Sequence, residues 1–136
     1  MKFKALALAV TMMLTQTSFA SSQEPTCPEL STIKSVGLQS ARMTRLGWLG
    51  YTTQGFGTEN SWTFFTFIIG QFETPEAALV QGNDDLVKLS NAAGPQNPGK
   101  NVNEWICYYT GSGADAFAIT PPPTSHRSLS MVATKQ

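Results

Sequence analysis

One segment in the middle of the chain, SWTFFTFIIGQFE at 61–73, constrains the fold more than any other. It is dense in aromatic and β-branched residues, which favour extended strands. Alternation places Phe65, Phe67 and Ile69 on one face and Trp62, Phe64, Ile68 and Phe72 on the other. Because both faces are apolar and need cover, the segment is predicted to be a central strand of a sheet.

Two helices are predicted, one before this strand and one after it. The first starts with a capping-box pattern at Thr26 and Glu29 and is ended by Gly37. The second starts at Thr74-Pro75-Glu76, where an N-cap residue, a proline and an acid follow one another, and ends at Gly94-Pro95. Their apolar stripes are Leu30, Ile33 and Val36 in the first, and Leu79, Leu86, Leu89 and Ala93 in the second.

The remaining segments predict a small sheet. Residues 43–54, with two internal glycines, are predicted to form one bent or bulged strand. Residues 94–103 are rich in turn formers and predict a loop, whereas 104–110 and 114–120 predict a hairpin around Gly111-Ser112-Gly113. The order is therefore α-β-β-α-β-β. We expect an α+β fold in which an antiparallel sheet of about four strands carries two helices on one face.

The first twenty residues have the pattern of a signal peptide. Lys2 and Lys4 precede an apolar run over 5–14, and small residues at Ser18 and Ala20 suit cleavage before residue 21. The run is shorter than the roughly 20 apolar residues that a membrane-spanning helix needs. The sequence therefore predicts an exported protein, periplasmic or extracellular, with no membrane span after cleavage.

Cleavage leaves 116 of the 136 residues, which suffices for one domain. We predict the domain over 21–120 and a flexible tail over 121–136, because three prolines followed by polar residues have little to bury. Loss of the two leader lysines leaves seven basic and nine acidic residues, a net charge of −2. The basic residues are scattered along the chain, so nucleic-acid binding is not expected.

Cys27 and Cys107 are the two cysteines of the chain, and an oxidising compartment favours a disulfide between them. Such a bond would close a loop of about 80 residues and stabilise the fold by about 4 kcal/mol through the unfolded state. A lipid anchor on Cys27 is the alternative, but six residues separate it from the predicted cleavage site. Two thiols alone make a poor metal site, and no metal is predicted.

Catalytic patterns are sparse. The single histidine, His126, lies in the predicted tail, where nothing would hold it against a nucleophile. Gly111-Ser112-Gly113 lacks the G-x-S-x-G spacing of a nucleophile elbow, and Asn83-Asp84-Asp85 lacks the alternating ligands of a calcium loop. No spacing pairs the carboxylates Glu73, Glu76, Glu104 and Asp115. We therefore predict a non-enzymatic protein without catalytic residues, with an unrecognised hydrolase as the weakest alternative.

Aromatic residues are the remaining signal, and eight of the twelve that follow the leader lie between 48 and 72. Core packing is favoured for Phe64, Phe65, Phe67 and Phe72. The predicted ligand-binding residues are Trp48, Tyr51, Phe56, Trp62 and Tyr108. Four of them flank a glycine-rich hairpin, are hard to bury together, and would let a flat ligand approach the backbone, although core packing competes for each. Since a tyrosine oxygen can ligate haem iron, haem is the candidate cofactor.

Four segments together carry a family resemblance: Cys27-Pro28, SWTFFTFIIGQF, Thr74-Pro75-Glu76-Ala77-Ala78 and EWICYY. They resemble small exported proteins of intracellular gamma-proteobacteria, mostly of unassigned function, some of which are labelled hemin-binding. The resemblance implies an exported binding protein for hemin or another flat hydrophobic ligand, and it implies no particular binding residue. The alternative is a protein–protein interaction module, in the periplasm or after secretion, that uses an exposed aromatic edge at Trp48 and Trp62.

Overall fold

Six strands pair into one antiparallel sheet in the computed structural model, which describes residues 23–99 and 103–124. The elements are α1 Leu30–Val36, β1 Ser40–Thr44, β2 Gly47–Gln54, β3 Trp62–Ile68, α2 Pro75–Leu86, β4 Asn91–Gln96, β5 Trp105–Thr110 and β6 Ala116–Thr120. The strands lie in the order β1-β2-β3-β6-β5-β4. The predicted four-stranded α-β-β-α-β-β fold is therefore wrong, because two further strands extend the sheet and make the protein mostly β.

The first additional strand arises where one bent strand was predicted over 43–54. A tight turn at Arg45-Leu46 separates β1 from β2, which pair with each other from Ser40 to Tyr51. The Thr44 hydroxyl closes this turn, since it donates to the Gly47 carbonyl at 2.8 Å and accepts from the Leu46 N–H at 3.2 Å. The segment therefore folds back on itself as a hairpin.

The second additional strand replaces the end of the predicted second helix. Helix α2 ends at Leu86, and β4 pairs with β5 along 91–96. The ladder is irregular between Ala93 and Gln96, where Gly94-Pro95 interrupts it. If α2 continued through these residues, the backbone N–H and C=O groups along the outer side of β5 would be unpaired at the edge of the sheet. Pairing between β4 and β5 satisfies them, and this gain outweighs the helical spacing of the apolar residues.

Two of the four predicted helix ends are confirmed, the start of α2 and the end of α1. At the start of α2, the Thr74 hydroxyl accepts from the Ala77 N–H at 3.2 Å, and the predicted N-cap is confirmed. Gly37 ends α1 with a φ of 76°, as predicted. The predicted capping box at Thr26 is wrong, because α1 begins after Glu29, whose side chain makes no capping bond.

The sheet has two distinct faces. Both helices pack on one face, which we call the helix face; its strand residues include Trp48, Trp62, Phe64, Ile68, Cys107 and Tyr109. The opposite side, which we call the second face, is defined by Leu49, Tyr51, Phe65, Phe67, Ile106, Tyr108, Phe117 and Ile119. Strand β3 contributes to both clusters and lies between β2 and β6, so its predicted central position is confirmed.

The segment before α1 is joined to β5 at two points. Cys27 and Cys107 form the predicted disulfide, with their Cα atoms 5.9 Å apart. Next to it, the buried Tyr109 hydroxyl donates to the Pro28 carbonyl at 2.6 Å. The predicted leader at 1–20 and the tail residues 125–136 lie outside the described residues. Neither helix of the described ranges is long and apolar enough to cross a membrane.

Candidate functional site

The five residues predicted to bind a ligand do not form one site. Trp48, Phe56 and Trp62 belong to the core of the helix face, where their exposed fractions are 6%, 3% and 0%. Tyr51 and Tyr108 lie on the second face and are half-buried. The predicted exposed edge at Trp48 and Trp62 is therefore wrong, because both side chains point towards the side of the sheet that the helices cover.

The loop between β2 and β3 shows why this cluster is buried. The indole N–H of Trp62 donates to the Thr58 hydroxyl at 3.0 Å, and that hydroxyl donates to the Gly55 carbonyl at 2.8 Å. Phe56 adopts a left-handed backbone conformation, with a φ of 47°, and its ring packs into the same core. The loop between β2 and β3 therefore directs Phe56 and Trp62 into the core of the helix face.

The second face carries a row of rings that no local pattern in the sequence predicts. Strand register places Tyr51 opposite Phe65, Phe65 opposite Phe117, and Phe117 opposite Tyr108. The ring centroids of Phe65 and Phe117 are 5.3 Å apart, as are those of Phe117 and Tyr108. Four adjacent strands therefore contribute one aromatic side chain each, with a tyrosine at either end of the row.

The spacing of this row limits iron ligation. Neighbouring strands lie about 4.8 Å apart, so three steps place the backbones of Tyr51 and Tyr108 roughly 14 Å from each other. Side chains stand roughly perpendicular to a sheet, so the two hydroxyls cannot reach one iron together. Tyr109 is unsuited because its hydroxyl is buried and bonded to Pro28, and burial raises its pKa far above the ordinary value of 10.0. A tyrosine ligand would be Tyr51 or Tyr108 alone.

One end of the second face is open to solvent. A shallow cleft of about 350 Å³ lies between the β1–β2 turn, the end of β3 and the β5–β6 turn. Its lining residues are Leu46, Phe67, Ile69, Gly113, Ala114 and Asp115. Leu46 and Ile69 are 57% and 63% exposed, and Phe67 joins the cleft to the aromatic cluster of the second face. Sequence reasoning assigned Phe67 to the core and did not single out Leu46.

A second cleft, of about 660 Å³, lies beside the disulfide between the N-terminal segment and the β2–β3 loop. The described residues of its lining are mostly polar and include the carboxylates of Glu24, Glu29 and Glu59 without a basic side chain. Within the described ranges, no group of three histidine, cysteine or acidic residues is placed to hold a metal ion. This cleft does not suit the flat hydrophobic ligand that the sequence predicts.

Fold and site together define a small, mostly β protein in which a disulfide ties the N-terminal segment to a sheet with one helix-covered face and one aromatic face. The chain belongs to the family described as a domain of unknown function, DUF4949, whose sequence profile matches residues 26–131. The match includes both cysteines, both helices and all six strands. No curated protein and no solved structure matches the chain.

Proposed function

We propose that the protein is an exported, non-enzymatic binding protein that holds a flat hydrophobic ligand at the open end of the second face. The observation that carries the proposal is the cleft beside Phe67, where Leu46 and Ile69 are each more than half exposed. Ligand sites are lined mainly by hydrophobic and aromatic side chains, and Leu46, Phe67 and Ile69 supply such side chains here. A ligand seated there would cover apolar side chains that otherwise face water and would touch the aromatic row.

Export is supported by two compatible features, the disulfide and the leader-like first twenty residues. Disulfides persist in oxidising compartments and are rare in the cytosol. The test is fractionation of cells that express the full chain. Recovery of a shortened, disulfide-bonded protein in the periplasm or medium supports export, and a full-length, reduced protein in the cytosol contradicts it.

Hemin is the first probe, because it is flat and apolar and a single tyrosine can ligate its iron. Purified protein is titrated with hemin while the Soret band is recorded. We expect a saturable shift at micromolar hemin, and we expect either Tyr51→Phe or Tyr108→Phe to change the position of the band. Tyr109→Phe is the matched control, since Tyr109 is buried on the helix face.

The position of the site is tested separately from iron ligation. A Leu46→Ser, Ile69→Ser double variant should weaken hemin binding more than tenfold, because burying one such side chain is worth about 1.5–3 kcal/mol. The control is Val80→Ser with Val87→Ser, which removes two similarly exposed apolar residues, one in the middle of α2 and one just beyond its end. Equal effects of the two double variants, or no saturable binding at all, would contradict the proposal.

A protein partner is the second candidate, and the same exposed pair, Leu46 and Ile69, favours it. An apolar side chain of a partner protein would fill the cleft in place of a small molecule. Substitutions that test partner binding therefore belong at Leu46 and Ile69 and not at Trp48 and Trp62, whose side chains are buried. A partner captured by the wild type and by the Leu46→Ser, Ile69→Ser variant alike would contradict this candidate.

A further inference from the structure

Arg42 is exceptional in the sheet because it is the single charged residue in the six strands of the described chain. It lies in β1, at the edge of the sheet, and its side chain is exposed. Every other charged residue of the described ranges lies in a helix, a turn or a loop. A charge beside an apolar face calls for an explanation.

Strand alternation decides which face Arg42 occupies. Its neighbour Ala41 packs against the core of the helix face, so Arg42 lies on the opposite side. Register confirms this placement, since Arg42 pairs with Leu49 and Leu49 pairs with Phe67, both members of the second-face cluster. Arg42 therefore lies at the border of the second face, in the same row as Phe67, which also lines the cleft.

The guanidinium of Arg42 makes no ion pair within the described ranges, where the salt bridge present joins Lys88 to Asp85 at 2.7 Å. An arginine side chain stays charged in proteins and presents its N–H donors as a planar fork that matches a carboxylate. Asp115 is the only acid among the described residues that line the cleft, and it lies before β6, on the far side of β3 from β1. The β1 side of the face is therefore positive and its centre is apolar.

We propose that Arg42 binds a carboxylate of the ligand while the apolar body of the same ligand lies on the second face. The inference deepens the proposed function and rests on it, because it names the ligand class: an amphipathic carboxylic acid. A porphyrin with propionate groups and a long-chain fatty acid share this chemistry. Arg42 is then the residue that selects acids over their neutral esters.

A different role for Arg42 predicts different results. Charged residues on edge strands keep sheets from pairing edge to edge with other chains. If Arg42 only protects the edge of β1, its replacement will increase self-association and leave ligand selectivity unchanged. The experiment therefore measures both properties on the same variants.

The test compares Arg42→Gln with Arg45→Gln in protein purified from cells that express the full chain. Arg45 is another exposed basic residue, in the turn that follows β1, so it controls for the loss of one charge. Four probes are titrated: hemin, hemin dimethyl ester, oleic acid and methyl oleate. Analytical ultracentrifugation of each variant reports self-association.

We expect the wild type to bind at least one acid about tenfold more tightly than its ester, because a charge-assisted hydrogen bond is stronger than a neutral one. Arg42→Gln should remove this preference and Arg45→Gln should keep it, and the preferred acid shows whether the body is a porphyrin or an acyl chain. Equal binding of acid and ester by the wild type overturns this inference but not the proposed function. An unchanged preference for the acid in Arg42→Gln does the same, whether or not that variant self-associates. Absence of binding to all four probes overturns both this inference and the proposed function.

Discussion

Trp48 and Trp62, the two buried tryptophans of the helix face, differ in the hydrogen bonding of their indole N–H groups. The indole N–H of Trp62 donates to the Thr58 hydroxyl at 3.0 Å. The indole N–H of Trp48 is buried and has no hydrogen-bond partner among the described residues. A buried donor that loses its bond to water and gains no other costs free energy. The aromatic surface of Trp48 is therefore stabilising, whereas its N–H is destabilising.

This difference predicts unequal effects of replacing each tryptophan with phenylalanine. Trp62→Phe removes ring volume and a buried hydrogen bond, whereas Trp48→Phe removes ring volume and an unsatisfied donor. We expect Trp62→Phe to lower the free energy of unfolding by about 1–3 kcal/mol more than Trp48→Phe. Urea denaturation of both variants measures it, and an equal or larger loss for Trp48→Phe would show that the Trp48 N–H is satisfied in solution.

At the scale of elements, the β5–β6 turn depends on two glycines in different surroundings. Gly111 has a φ of 121°, and a Cβ there would lie 2.7 Å from the Lys88 carbonyl oxygen and 2.8 Å from the Ser90 nitrogen. Gly113 has a φ of 83°, and a Cβ there would meet no described residue within 4 Å. The turn therefore packs its first glycine against the backbone that leads into β4 and leaves the second in open space.

Alanine at the two positions should have very different effects. Gly113→Ala should lower the free energy of unfolding by about 1–2 kcal/mol, the cost of a left-handed residue with a side chain. Gly111→Ala should lower it by more than about 3 kcal/mol, because the chain entering β4 must also move. Thermal unfolding followed by circular dichroism compares the two, and similar losses would mean that β4 does not pack against this turn in solution.

At the scale of the whole molecule, the residues before α1 are held to the sheet through β5. The disulfide joins Cys27 to Cys107, and the hydroxyl of Tyr109, two residues further along β5, donates to the carbonyl of Pro28, the residue after Cys27. This hydroxyl is buried, and burial raises its pKa far above 10.0, because an ionised phenolate would lose its hydration. Folding therefore keeps Tyr109 protonated.

The raised pKa makes stability depend on alkaline pH. Below pH 10 Tyr109 carries its proton in both states, so its contribution to stability is complete. Above pH 10 the unfolded chain releases this proton while the folded protein keeps it, so the free energy of unfolding falls as pH rises. We expect Tyr109→Phe to be less stable than the wild type at pH 8 and to lose less stability between pH 9 and pH 11.

Chemical denaturation across this pH range makes the measurement, with Tyr108→Phe as the control because Tyr108 is half-buried on the second face. The free energy of unfolding of Tyr108→Phe should fall between pH 9 and pH 11 by as much as that of the wild type. A decline that is equally steep in Tyr109→Phe would assign the alkaline loss of stability to other groups.

Several features of this protein are determined by short stretches of sequence alone. The start of α2 at Thr74-Pro75 depends on bonds within one turn, and the two faces of β3 depend on alternation within seven residues. The hairpin around 111–113 depends on glycines that accept left-handed conformations. The disulfide follows from there being two cysteines in a chain with a leader-like start. In each case the interacting groups are neighbours in the chain or have no competing partner.

Other features were decided by tertiary structure, because they depend on which distant segment supplies the partner. Strand β4 exists because its backbone pairs with β5, although Ala93 within it continues the helical spacing of Leu79, Leu86 and Leu89. Trp48 and Trp62 are buried because both helices cover their face, and alternation cannot say which face receives the helices. The row from Tyr51 to Tyr108 and the position of Arg42 beside it need the register of five strands, which is set by pairing between segments far apart in the sequence.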